Sequence, residues 1–84
     1  MEKNVATVVF KILKRNENHE LEIPLEITAN ELVNALNAAY KLGIDTSDVK
    51  NCFLISESPI ALLKGNKPLN EFGVRNGTII ICSE

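Results

Sequence analysis

The chain has 84 residues, of which 45% are apolar and 24% charged, enough to build one core without metal or disulfide support and too ordered a composition for a disordered segment. Nine basic and eleven acidic side chains leave a formal net charge of −2, scattered rather than blocked, which excludes nucleic-acid binding through a basic face. The longest apolar runs, such as Ile79-Ile80-Ile81-Cys82, fall far short of the ~20 residues that span a bilayer, and Met1-Glu2-Lys3-Asn4 lacks the layout of a signal peptide, so a single domain over 1–84, cytoplasmic and without direct membrane insertion, is expected.

Val5 to Leu13 is rich in β-branched residues, and Ala6, Val8, Phe10 and Ile12 share one face at period two, which predicts a first strand. Lys14 to His19 is a polar break suited to a hairpin loop. Leu21, Ile23, Leu25 and Ile27 then alternate with Glu20, Glu22, Pro24 and Glu26, the pattern of a half-buried second strand. Pro24 cannot donate to a ladder and so places that strand at an edge.

The period changes at Thr28. Thr28-Ala29-Asn30-Glu31 matches a capping box. Leu32, Val33, Leu36, Ala39 and Tyr40 continue at helical spacing through Leu42, with Gly43 as the expected left-handed cap. Ile44 to Asn51 reads as a connector, Cys52 to Ser56 as a third strand, and Ile60 to Leu63 as a short fourth strand after a turn at Glu57-Ser58-Pro59. Leu69 to Phe72 predicts a tight turn, and Thr78 to Cys82 a closing strand. A hairpin, one helix and three further strands make an α+β arrangement, β-β-α-β-β-β, with a mixed sheet packed on one helix and the apolar first and last strands parallel at its centre. This is the β-grasp.

Catalytic and metal chemistry find little support in these residues. His19, the sole histidine, has no ligand set near it. Gly65-Asn66-Lys67-Pro68 lacks the spacing of a phosphate loop, and Asp45 and Asp48 lack the glycine and glutamate of a calcium loop and suit a turn instead. Asn76-Gly77-Thr78 matches a glycosylation sequon, but a tight turn before the last strand explains it. Cys52 and Cys82 sit in apolar contexts with no base beside them, as reduced core thiols would, and a bridge between them would require neighbouring strands in an oxidising compartment. No enzyme activity and no cofactor are expected.

The order of elements from Val5 to Ser83 resembles ubiquitin, and Leu69-x-x-Phe72-Gly73-Val74-x-x-Gly77-x-x-Ile80 resembles the turn and final strand of ubiquitin-like domains. The small size, the Leu63-x-Gly65-x-x-x-Leu69 stretch and an ending at Ser83-Glu84 without a glycine pair look most like the EsaB/YukD family, small bacterial ubiquitin-like proteins of type VII (WXG100) secretion. The resemblance implies a non-conjugating accessory or regulatory protein. It also implies partners in a secretion machinery, an FtsK/SpoIIIE-type membrane ATPase or a pseudokinase-like membrane component, with recruitment to the inner face of the cell membrane. The alternatives are a ubiquitin-like adaptor or a self-associating homodimer unrelated to secretion. A sulfur or acyl carrier, a third class, would need an exposed glycine-pair carboxylate.

By the ubiquitin-like pattern Ile80 and Cys82 point at the helix, as does Leu54 on the third strand. Ile79, Ile81, Phe53 and Ile55, with Val9 on the first strand, then form an apolar patch on the open side of the sheet, the expected protein-binding residues. Strand propensity alone favours isoleucine at such positions, but contiguous apolar patches mark contacts.

Overall fold

In the computed structural model residues 4–48 and 52–82 are described, so what was expected of Met1–Lys3, Val49–Asn51 and Ser83–Glu84 lies outside the described residues. Strands β1 (Val5–Ile12) and β2 (Glu17–Pro24) form an antiparallel hairpin, helix α1 (Ala29–Tyr40) follows, and β3 (Leu54–Glu57), β4 (Ala61–Leu63) and β5 (Ile79–Cys82) complete the sheet. A 3₁₀ turn at Leu69–Phe72 precedes β5. The strand order is β2-β1-β5-β3-β4. β1 and β5 pair in parallel, and β3 pairs antiparallel with both β5 and β4. The fold is the ubiquitin-like β-grasp expected, and β2 with its Pro24 is an edge strand.

Alternation divides the sheet. Ala6, Val8, Phe10 and Ile12 of β1, Leu54 and Ser56 of β3, Leu63 of β4, and Ile80 and Cys82 of β5 are buried. All but Ser56 join Ala29, Leu32, Val33 and Leu36 of the helix in one apolar core, with Leu69 and Val74 added from the turn before β5. β2 contributes Ile23 fully and Leu21 partly, because an edge strand has a neighbour on only one side.

Two buried polar side chains hold the turn that leads into β4. The Ser56 hydroxyl donates to Pro59 O at 2.8 Å, while Thr78 Oγ1 donates to Ser58 O at 2.8 Å and accepts from Arg75 N–H at 3.0 Å. Both hydroxyls are thus satisfied, as burial requires.

The helix begins as its sequence dictates. Thr28 Oγ1 accepts from Glu31 N–H at 3.1 Å and Glu31 Oε1 accepts from Thr28 N–H at 2.9 Å. Its end differs from expectation: helical geometry stops at Tyr40, and Lys41, with φ of 52°, takes the left-handed cap position assigned to Gly43. The side chain that meets this end is distant in sequence. Arg15, in the β1–β2 turn, donates from Nη1 to Tyr40 O at 2.7 Å and from Nη2 to Lys41 O at 2.6 Å, satisfying carbonyls that the helix leaves open. Asn37 then exchanges two 3.0 Å hydrogen bonds with the Ile44 backbone and fixes the exit path. Ala39, still within the helix, lies on its exposed face rather than in the core.

Other boundaries shift as well. The hairpin loop is Leu13–Asn16, and β2 already begins at Glu17, so His19 is a strand residue opposite Phe10 rather than a loop residue. β3 starts at Leu54 rather than Cys52, β5 starts at Ile79 rather than Thr78, and Ile60 sits in the turn before β4. Asp45 and Ser47 form the expected polar turn: the Ser47 hydroxyl (2.6 Å) and then its amide (3.0 Å) hydrogen-bond Asp45 Oδ1 and hold that carboxyl below its ordinary pKa.

Candidate protein-binding face

The helix covers one face of the sheet. The other face is assembled by register. Directly paired residues of neighbouring strands point to the same side, so Leu62 of β4, Ile55 of β3, Ile81 of β5 and Lys11 of β1 form one row across four strands. Glu57, Ile79, Val9 and Glu20 form a second row beside it. Four of the five sequence-predicted residues, Val9, Ile55, Ile79 and Ile81, therefore meet in adjacent rows. Phe53 immediately precedes β3 and is half-buried, as are the other four, since side chains on central strands shade one another.

The most exposed member was missed from sequence. Leu62 is 50% exposed and extends the apolar row to the β4 edge, and Ile60, 86% exposed, stands in the adjoining turn. Register orients Leu62: Leu63 lies opposite the inward Leu54, so alternation sends Leu62 outward.

Charge surrounds this apolar surface unevenly. Glu20 and Glu22 lie on β2 opposite Val9 and Thr7 and are exposed, as is Glu57 opposite Ile79, while Lys11 is half-buried at the end of the apolar row. Among the described residues the ion-pair geometry found is His19 with Glu17 at 3.1 Å, on the helix side of the sheet, where the His19 ring also lies 4.8 Å from that of Tyr40. Glu20, Glu22 and Glu57 make no such pair with a described residue.

Chemistry at a point, rather than over a surface, has no assembled centre among the described residues. No three His, Cys, Asp or Glu side chains gather there into a metal site. Cys52 and Cys82 are buried free thiols. No helix among the described residues is long and apolar enough to cross a membrane.

An open-faced five-stranded sheet on a single helix, with β1 and β5 parallel at its centre, defines a ubiquitin-like domain. Solved structures agree on the fold. The C-terminal ubiquitin-like domain of mouse tubulin-specific chaperone e matches with a TM-score of 0.72 at 18% identity, over 96% of this chain and 87% of that one. The ubiquitin-like domain of tubulin-binding cofactor B gives 0.73 at 19% identity, over 95% and 89%. The UBL domain of Plasmodium falciparum Dsk2 gives 0.60 at 21% identity, over 94% and 99%. A search of the curated proteins finds no match. The family described as "WXG100 protein secretion system (Wss), protein YukD" matches residues 7–81. The chain belongs to this YukD family, and with it to the ubiquitin-like accessory proteins of WXG100 secretion.

Proposed function

We propose that the protein serves WXG100 secretion by non-covalent binding, its open sheet face seating a protein component of the machinery. The observation that carries this reading is the contiguity of Leu62, Ile55 and Ile81 with Ile79 and Val9 on the face opposite the helix. Cross-strand pairing accounts for the half-buried Val9, Ile55, Ile79 and Ile81, but not for an exposed leucine beside them, and a partner covering the patch removes apolar area from water at ~25 cal/mol per Å². An FtsK/SpoIIIE-type ATPase or a pseudokinase-like membrane protein is the partner class, which would bring the protein to the inner face of the membrane. The role is binding rather than catalysis. A covalent adduct of this protein on a partner's lysine would contradict the non-covalent reading.

Secretion tests the proposal. Ile79→Asp and Ile81→Asp put a carboxylate where an interface must desolvate it, at a cost of ≥2 kcal/mol of binding, more than tenfold. WXG100 substrate export should fall in cells carrying either variant, while far-UV circular dichroism of the purified proteins stays native. Normal export by folded double variants would return the patch to strand propensity alone.

A further inference from the structure

Resting on the open-face reading, the charge around the patch says which partner chemistry fits it. Glu20 and Glu22 on the outward side of β2, with Glu57 beside Ile79, place carboxylates along the second row and the β2 edge. All three are exposed, and none forms an ion pair with a described residue. The single cation on the same rows is Lys11, at the end of the apolar row between Ile81 and Asn18. Neighbouring strands lie ~4.8 Å apart, so Leu62, Ile55 and Ile81 span ~10 Å and the β2 carboxylates begin ~10 Å further on.

We infer that the occupant of this face is a protein segment whose apolar anchors, seated on Leu62, Ile55 and Ile81, are followed by lysine or arginine that meets Glu20 and Glu22, with a further cation opposite Glu57. An acidic segment would bring like charges together at the rim, which is costly enough to reject it. The same carboxylates repel an anionic lipid surface and nucleic acid, leaving a basic protein segment as the fitting chemistry.

Two synthetic peptides sharing one apolar face, one flanked by lysines and the other by glutamates, test this on the purified full chain. Fluorescence anisotropy gives the affinities, and methyl NMR reports Leu62, Ile55, Ile79 and Ile81. The lysine peptide should bind about tenfold more tightly, as a few rim ion pairs allow, and shift those methyls. That preference should shrink in 1 M salt, where the screening length falls to about 3 Å, and vanish in the Glu20→Gln/Glu22→Gln/Glu57→Gln variant. Equal affinities with the sheet methyls shifted by both peptides would overturn the charge inference and leave the open face standing. Binding that shifts no sheet methyl, or no binding by either peptide, would overturn the inference with the face it rests on. A lysine preference that survives the triple substitution would also overturn it, since the charge would then come from elsewhere.

Discussion

Gly73 shows how tightly the turn before β5 is built. Its φ of 82° lies in the left-handed region, and a Cβ there would come within 3.1 Å of Pro59 Cγ. Gly77 shares the conformation, with φ of 91°, but a Cβ there meets nothing within 4 Å. Both alanine variants carry the backbone penalty of ~1–2 kcal/mol, and only Gly73→Ala must also displace Pro59. Urea denaturation should therefore rank Gly73→Ala as the more damaging of the two; equal midpoints would show that Pro59 yields freely. In the core, Leu36 is 6% exposed and Ile80 fully buried. Truncating either to alanine should cost ~2–5 kcal/mol, a large share of the ~5–15 kcal/mol that holds a domain of this kind together. Unchanged midpoints for both would contradict the inward assignment of β5.

At the scale of the element, the two ends of α1 rest on different physics. The N-terminal box is local, Thr28 and Glu31 hydrogen-bonding each other's amides, and Thr28→Ala should cost ~1 kcal/mol. The C-terminal end depends on the Arg15 guanidinium, 25 residues away. Arg15→Ala should destabilise by ~0.3–1 kcal/mol, and the loss should diminish in 1 M salt, because a cation at exposed carbonyls is screened. The Thr28 effect should not diminish. An Arg15 effect insensitive to salt would mean that packing of its stem matters more than its charge.

These ends also show what local pattern can reveal. The box was legible because all of its groups fall within four residues. The stop at Tyr40 was not, because Gly43 is an adequate local signal and the arginine that competes with it arrives through tertiary structure. Likewise Glu17–His19 read as loop by polarity, yet β1 offers a full run of partners, and pairing on a template extends an edge strand through polar residues. Ile60 failed in the opposite direction, an apolar residue that the turn at Ser58–Ile60 keeps out of β4.

For the whole molecule, the β-grasp follows from two periods and a turn: alternation in β1 and β2, helical spacing in α1, and the Leu69–Val74 corner that sends β5 between β1 and β3. The inward residues of β5 were readable from that corner, and the open-face isoleucines followed by alternation. Leu62 was not assigned, because a three-residue strand declares its orientation only through its partner. Its exposure strengthens the central claim, that the open sheet face is the working surface. A photocrosslinking residue placed at Leu62 in cells, compared with one at the exposed Asn34 on the helix, tests that claim most directly. Position 62 should crosslink to a component of the WXG100 secretion machinery and position 34 should not; crosslinking from 34 alone would put the working surface on the helix and contradict the account.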